Sequence, residues 1–503
     1  MTLENWALFL LIAIPFSGGI ALVFFPSGSR TLIHRFAVSV SALSFLLTLY
    51  IFFNYDRSQG GFQFAMEIEW LPLLGISYTL GVDGISVAMV LLTGIVFMTG
   101  VLVSKNITHR PKDFFALYLL LVAGVFGVFV SQDLFFFFFF YELAVVPMYL
   151  LIGVWGSTTD FGTFFRSKEY GAMKLMLYLV AGSVLVWIAI LAVYAQAPTP
   201  LQDASFLFSF LEAAHSRYSI DFQRFIFPMF MVGFGILAGL WPFHTWSPDG
   251  HVAAPTAVSM VHAGVLMKLG AYGIIRTMSI LPEGAEDWMF PLVLLGTANV
   301  VYGAISAMAQ KDLKYVVGYS SVSHMGYVFM GIATLDHLGV GGAVLQMFSH
   351  GIMTALFFAL VGFIYDRTHI RDISILQGLA KRMGVTASFF AVAGLTSLGL
   401  PGLSGFVAEV LVFIGLFRTY PLLGALGIVG AAITAIYILR LLAKVFFGPL
   451  DKQWQKLSDA APLEGTAAAI LVLTLLLVGV YPTYLITLID SSVKIFLTPF
   501  GGA

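Results

Sequence analysis

Six titratable side chains lie well inside long apolar stretches of this sequence, where charged groups are rare. They are Glu142, Lys174, Lys268, His324, His350 and Glu409. Placing a charge at the centre of a lipid bilayer costs roughly 2.5–3.5 kcal/mol, so such residues usually serve a function. Glutamate, lysine and histidine can each bind and release a proton. We therefore expect these side chains to form a proton relay through a membrane.

A structural role is the alternative for each residue taken alone, because a buried charge can pair with an opposite charge and hold two helices together. A histidine inside a helix is often only hydrogen-bonded, which is the alternative for His324 and His350. Lys174 lies about two turns inside its segment and could extend to water at the membrane surface. The spread of these residues over many segments favours the relay.

The composition places the chain in a membrane. Of its 503 residues, 59% are hydrophobic and only 10% are charged, whereas soluble domains carry about 25% charged residues. The net charge of −1 and the absence of a basic block argue against nucleic-acid binding. The sequence has no cysteine, which excludes iron–sulfur clusters, thiolate-bound zinc and thioether-linked haem carried by this chain alone.

Apolar runs between polar breaks predict an all-α, polytopic membrane protein with about 14 transmembrane helices. The predicted segments are 5–25, 31–53, 84–104, 114–131, 134–155, 168–195, 225–257, 258–279, 289–309, 315–334, 340–364, 386–420, 421–447 and 465–488. The longest polar gaps, 54–83 and 196–224, are predicted to be connecting loops.

Two of these helices are expected to be broken. Trp241-Pro242 interrupts the seventh, and Gly399-Leu400-Pro401-Gly402 interrupts the twelfth. A broken helix persists in lipid only where protein or a water-filled cavity satisfies the freed backbone groups, and paired breaks in two halves mark a transport path. Helices four to eight and nine to thirteen thus predict two inverted five-helix repeats, at 111–285 and 286–450. Residues 1–110 would supply the first three helices, and 451–503 a loop and the last helix.

The distribution of lysine and arginine gives an orientation, because basic residues concentrate in cytoplasmic loops. Loops after odd-numbered helices hold most of them: Arg30, Arg35, Lys105, Arg110, Lys112, Arg166, Lys168, Lys311, Lys314, Arg367, Arg371, Lys381, Arg382, Lys452 and Lys456. We therefore expect these loops on the cytoplasmic side of a cell inner (plasma) membrane. Both termini would then face the opposite side.

Histidines permit two further interpretations. His324, His337 and His350 follow one another at intervals of 13 residues, which suggests a haem- or quinone-binding electron carrier. However, His337 stands beside Asp336 in a short loop and not at helix depth. His244 and His251 could bind a metal, but their spacing fits no established ligand pattern, so capping or hydrogen bonding is the simpler expectation.

Several motifs, spread in order over residues 80–450, resemble the chain-4 type (subunit M) of the antiporter-like proton-channel subunits of respiratory complex I, the proton-pumping NADH:quinone oxidoreductase. They are Leu80–Ser86, Tyr141–Gly156, Pro242–Trp246, Ala254–Ala257, Leu266–Gly273, Ser321–Tyr327 and Pro401–Phe406. The resemblance implies an antiporter-like fold and a subunit that passes protons, without a cofactor of its own, while other chains carry electrons from NADH or another donor to quinone. It also implies membrane and peripheral partner subunits, including neighbouring antiporter-like chains.

The resemblance implies roles for individual residues. Glu142 matches the essential glutamate of the family's fifth helix and Lys268 the central lysine of its eighth. His324 and His350 match the connecting residues, and Glu409 matches the glutamate near the exit. Alternatives within transporters are a cation/proton antiporter subunit and the membrane arm of an ion-pumping hydrogenase; a purely structural scaffold is the remaining alternative.

One position departs from the family. Leu237 stands where the resemblance implies a seventh-helix lysine that pairs with the fifth-helix glutamate, so Glu142 lacks its expected cation. His262 stands where an aliphatic residue is usual, six positions before Lys268 and roughly 9 Å from it along a helix. Either His262 takes over the missing proton site, or the pump is specialised or weakened. A hydrogen bond to a carbonyl or to Ser259 is the structural alternative for His262.

Overall fold

A computed structural model describes residues 3–160, 165–197 and 204–501. The α-helices of the first half are α1 Leu3–Val23, α2 Arg30–Asn54, α3 Gly84–Val103, α4 Pro111–Val130, α5 Leu134–Trp155, α6 Lys168–Gln196, α7 Phe208–Ala213, α8 Ile220–Ala238, α9 Trp246–Ala253, α10 Thr256–Val261 and α11 Met267–Met278. Those of the second half are α12 Pro282–Ala309, α13 Leu313–Ile332, α14 His337–Thr368, α15 Gly384–Ser397, α16 Ser404–Thr419, α17 Pro421–Phe446, α18 Pro462–Val480 and α19 Thr483–Leu497.

The predicted class, an all-α polytopic membrane protein, is confirmed. Within the described ranges, twelve helical segments are long and apolar enough to cross a membrane, and each corresponds to one of the predicted spans. The two other predicted spans, 315–334 and 386–420, correspond to α13 and to the pair α15 and α16. Aspartates cap the N-termini of several helices. The carboxylates of Asp133, Asp312 and Asp336 accept hydrogen bonds from free backbone N–H groups in the first turns of α5, α13 and α14.

Three local expectations were wrong. The last predicted helix, 465–488, ends at Val480, and α19 begins separately at Thr483 after Pro482, which has no N–H to continue the helix. The gap 54–83 holds an antiparallel hairpin of β1 (Gln63–Leu71) and β2 (Ile76–Val82). The gap 196–224 holds α7, and its residues 198–203 lie outside the described ranges. A second, short hairpin joins β3 (Thr159–Asp160) to β4 (Phe165–Arg166).

The first predicted helix break lies between α8 and α9. Gly239 ends α8 in the left-handed conformation, with φ of 78°, which glycine adopts without steric strain. The side chain of Asn299 in α12 then accepts a hydrogen bond from Trp241 N–H at 2.6 Å and donates one to the Gly239 carbonyl at 2.8 Å. The backbone groups freed by the break are therefore satisfied by protein, as a membrane interior requires.

The second break separates α15 from α16. Gly399 has a φ of 72°, and a side chain there would meet the Glu409 carboxylate at 2.6 Å. The glycine therefore provides both the left-handed turn and the space that the carboxylate occupies. Both helix breaks are present where the sequence predicted them, each beside titratable residues.

Candidate functional site

The centre of the molecule holds a direct contact between two of the predicted residues. Lys268 Nζ in α11 is hydrogen-bonded to His350 Nδ1 in α14 at 2.9 Å, and Lys268 is 0% exposed. It also donates a hydrogen bond to the Ala263 carbonyl at 2.5 Å. No carboxylate forms an ion pair with Lys268 among the described residues. The amine is therefore held by an imidazole nitrogen, which can exchange a proton with it directly, and by a carbonyl oxygen, which orients it.

A π-helical turn, His262–Leu266, positions this lysine. Because Met267 N–H bonds to the His262 carbonyl, it leaves the Ala263 carbonyl open to the lysine side chain. The turn also touches α14 closely: a side chain on Gly351 would lie 2.5 Å from the Gly264 carbonyl. That close approach brings Lys268, one turn after Gly264, against His350, the neighbour of Gly351. Such turns occur frequently at functional sites.

The row continues from α14 to the second helix break. The rings of His350 and His324 lie 5.3 Å apart between centroids. His324 Nδ1 is 3.6 Å from Glu409 Oε1, and His324 Nε2 is hydrogen-bonded to Ser397 Oγ at 2.9 Å. All three titratable side chains are buried. Lys268, His350, His324 and Glu409 therefore form one row across four helices.

These contacts do not fit haem ligation. Both ring nitrogens of His324 have protein partners, Ser397 at Nε2 and Gln346 at Nδ1, so neither is left for iron. His337, the third histidine of the equal spacing, starts α14 and is hydrogen-bonded to Asp490. The equal spacing therefore does not bring the three histidines to one site: His324 and His350 are neighbours in the row, and His337 lies apart from them.

Glu142 lies apart from the row, on the α5 face next to α6. Its carboxylate is half-buried and close to Ser183, and its Oε1 has no hydrogen-bond partner among the described residues. No cation forms an ion pair with it in the part of the chain described. Leu237, at the position of the implied lysine, is 1% exposed near the end of α8.

Lys174 does not extend to water. Its Nζ forms an ion pair with Asp249 Oδ2 of α9 at 2.8 Å, and Tyr315 donates a hydrogen bond to Asp249 Oδ1 at 2.8 Å. Asp249 lies in α9, after the first break, and therefore connects this segment to both α6 and α13. Of the alternatives left open for Lys174, the structure shows an ion pair with a carboxylate whose side chain is 11% exposed.

His262 points into the protein interior and is 0% exposed. Its ring stacks on Trp246 at 5.4 Å and lies 4.1 Å from the ring of His251, between centroids. Neither nitrogen of His262 has a hydrogen-bond partner among the described residues. Ser259 donates instead to the His251 carbonyl, so the hydrogen-bonded alternative for His262 is not formed.

The sequence missed three residues that belong to this interior. Asp249 was not among the candidates, His251 was considered only as a metal ligand with His244, and Lys314 was assigned to a cytoplasmic loop. Lys314 is buried near the start of α13, and its Nζ donates to the Ala254 carbonyl at 2.7 Å. His244 was considered together with His251 as a metal ligand. The ring of His244 lies against Tyr302, whereas the ring of His251 lies against His262. Only the path of the chain after Pro242 and Pro255 brings these groups inward, and no spacing rule predicts that path.

Several buried polar atoms in and around the candidate site have no protein partner. Among the described residues they include atoms of Glu142, His244, His251, His262, Ser321, Gln346 and His350. Most buried polar atoms in proteins are hydrogen-bonded to protein or to ordered water, and a buried water typically makes two to four such bonds. The arrangement is therefore suited to hydration, and water chains can carry protons between side chains that do not touch.

Comparisons with known proteins agree with this geometry. The family described as NADH:quinone oxidoreductase/Mrp antiporter, TM, matches residues 131–434. A protein of Synechococcus elongatus named NAD(P)H-quinone oxidoreductase chain 4 1 is 38% identical over 483 residues, which cover 94% of this chain and 88% of that protein.

Solved structures are also similar. A chain of respiratory complex I from Thermus thermophilus with bound NADH is 28% identical, has a TM-score of 0.89, and is matched over 98% of this chain and 100% of that one. A chain of the Mrp complex from Dietzia sp. shares the fold, with a TM-score of 0.85 at 19% identity, over 99% of this chain and 98% of that one.

Proposed function

This chain belongs to the NADH:quinone oxidoreductase/Mrp antiporter family, and from that premise we propose that it moves protons along the row of residues described above. It is an antiporter-like membrane subunit of a multisubunit NAD(P)H:quinone oxidoreductase of the complex I type. It carries no redox group itself in this proposal. NADH or another donor, and quinone, are used by the assembled complex, whose electron transfer drives the protons.

The observation that carries the proposal is the unbroken row Lys268, His350, His324 and Glu409. Each member can hold a proton, and each lies next to the following one through a hydrogen bond or a short gap. Glu409 faces the second helix break, which suits release of a proton from the membrane interior. The two inverted repeats at 111–285 and 286–450 would place the first break and its residues at the opposite end of the path.

Glu142 has a different place in the proposed mechanism. Outer residues of α5 and α6, such as Phe139, Leu177 and Val184, are exposed and apolar, which suits a neighbouring membrane subunit of the assembly. A half-buried carboxylate on this face can respond to the charge of that neighbour over a short distance, because a low-dielectric surrounding strengthens the interaction. We assign Glu142 to coupling and the central row to proton transfer.

The proposed proton entry is a crevice of about 200 Å³ between α3, α4, α10 and α14. Lys314 and Asp366 line it, together with Thr256 at the start of α10. Asn106 and Ser157, from loops predicted to be cytoplasmic, line its outer part. His262 follows Thr256 by six residues, or about 9 Å of helix, and lies between this crevice and Lys268. In this proposal it holds the proton that the absent seventh-helix lysine would have held.

Co-purification tests the assignment to complex I. We expect this chain, extracted in mild detergent through an affinity tag, to bring iron–sulfur and quinone-binding subunits together with other antiporter-like chains. The fold is equally that of a cation/proton antiporter subunit, so recovery with antiporter chains alone would contradict the proposal. The 38% identity to a chain-4 protein favours the first outcome.

Labelling of single cysteines tests the proposed orientation. The chain has no cysteine, so Lys112→Cys and Lys381→Cys each introduce a unique thiol in loops predicted to be cytoplasmic. An impermeant maleimide should label both in inside-out membrane vesicles and neither in intact cells. A cysteine at Arg217, in a loop predicted on the other side, is the matched control and should show the opposite pattern. Labelling of Lys112→Cys in intact cells would overturn the topology.

A further inference from the structure

An apolar groove of about 450 Å³ lies on the outer surface of the helix bundle, and none of the side chains of the polar row lines it. It runs between α2 and α18, with α3 and α14 as its floor and α19 at one end. Its walls include Phe45, Phe53 and Leu473, and its floor includes Leu91 and Phe348. Phe53 is 65% exposed and Leu473 is 56% exposed, so the groove opens outward to the surroundings of the helices.

A cation marks one end of the groove. The Arg57 guanidinium lies over the ring of Tyr484 at 3.0 Å and 5.8 Å from the ring centroid of Phe52, and both rings line the groove. Arg57 forms no ion pair with a carboxylate among the described residues. Tyr481, which is 67% exposed, lies at the same end. Tyrosine and arginine at the end of an apolar surface are typical of the membrane–water interface.

The length of the groove and the charge at one end indicate its occupant. Phe45 and Phe53 are eight residues apart on α2, so the groove is about 12 Å long at 1.5 Å per residue. Its walls are apolar along this length, and Arg57 lies at only one end. An apolar groove that ends at a cation is complementary to a hydrocarbon chain that ends in an anionic head group.

We propose that this groove binds one acyl chain of an anionic phospholipid, with the phosphate held by Arg57. Guanidinium groups bind phosphate oxygens through paired, charge-assisted hydrogen bonds. The unpaired cation, the aromatic end and the apolar walls match the three parts of such a lipid. Its chain would pack on Phe348, two residues before His350, so the bound lipid supports the helix that carries the central histidine.

Photolabelling of the purified complex tests this site. The complex is placed in phosphatidylcholine nanodiscs containing a small fraction of phosphatidylglycerol with a diazirine on its acyl chain, and adducts are quantified by peptide. We expect adducts on the α2 and α18 segments. Arg57→Gln should lower them about tenfold, the effect of losing roughly 1.4 kcal/mol, while Arg217→Gln, an exposed arginine elsewhere, should not.

A second variant tests the groove itself. Thr474→Trp fills the groove from α18 and should abolish the adducts, whereas Leu422→Trp, on an exposed position of α17, should leave them unchanged. Adducts unaffected by both groove variants would overturn the proposal. So would equal labelling by phosphatidylcholine carrying the same diazirine, or labelling of these segments by a diazirine quinone in preference to phosphatidylglycerol. Unchanged subunit composition and basal quinone reduction confirm that the variants are assembled.

Discussion

Replacing Lys268 with alanine should lower proton translocation by the assembled complex by a factor of about 10² or more, the range typical for removal of a proton-transferring group. The reason is geometric: Lys268 is the only buried amine in contact with His350 among the described residues, so its loss interrupts the row. Coupled quinone reduction should fall sharply as well, since electron transfer and proton movement are linked in the assembly.

The measurement uses the purified complex in proteoliposomes, with a pH-sensitive dye inside and quinone reduction followed in parallel. Lys444→Ala removes an exposed lysine from α17 and is the matched control, which should pump normally. The complex should still assemble, because no carboxylate pairs with Lys268 among the described residues and its loss therefore leaves no unpaired charge. Full pumping by a correctly assembled Lys268→Ala complex would show that the lysine is not part of the path.

The buried titratable residues could be predicted because a charge in an apolar helix is a local signal. Glu142, Lys268 and Glu409 each have apolar neighbours in the sequence. The free-energy cost of burying a charge in a membrane indicates that such residues have a function. The helix breaks could be predicted for the same reason, since Pro242 and the Gly399–Gly402 stretch cannot continue a helix. These features depend only on the few residues around each position.

The partners could not be predicted, because they come from contacts between distant segments. Nothing near Lys174 in the sequence indicates Asp249 as its partner, 75 residues away. Asn299, which satisfies the first break, is an isolated polar residue on α12 whose role depends on the packing of α8. The contact of Lys268 with His350 depends on a π-helical turn and on two glycines in contact, and neither has a recognisable sequence pattern.

The departure at Leu237 has a consequence for the first half of the path. Among the described residues no cation forms an ion pair with Glu142, whose carboxylate is close to Ser183 of α6. Gly182, the neighbour of Ser183, packs against Ile236 of α8. Trp246 links the two regions, because its indole N–H bonds to the Ile236 carbonyl at 2.9 Å while its ring stacks on His262. We propose that a change of charge at Glu142 is transmitted to His262 through these packed and hydrogen-bonded groups, without a lysine in α8.

Replacing His262 with leucine should lower proton translocation roughly tenfold, less than the loss of Lys268, because His262 supplies one proton site before the central row. His262→Phe keeps a ring against Trp246 but removes both nitrogens, so it should impair pumping to the same degree if the nitrogens carry the proton. His109→Leu, at an exposed position, is the matched control. Normal pumping by His262→Phe would contradict the proposed role and leave His262 as a packing residue.

Adding a lysine at position 237 makes the test specific. In the double variant with His262→Leu, Leu237→Lys should restore part of the lost pumping, because it places a titratable amine in the last turn of α8, beside the first helix break. A variant damaged only in packing would not recover, since a lysine at this buried position disturbs the apolar contacts of Leu237 further. Recovery therefore distinguishes a lost proton site from a lost contact, and a further decrease in pumping would show that His262 does not stand in for the missing lysine.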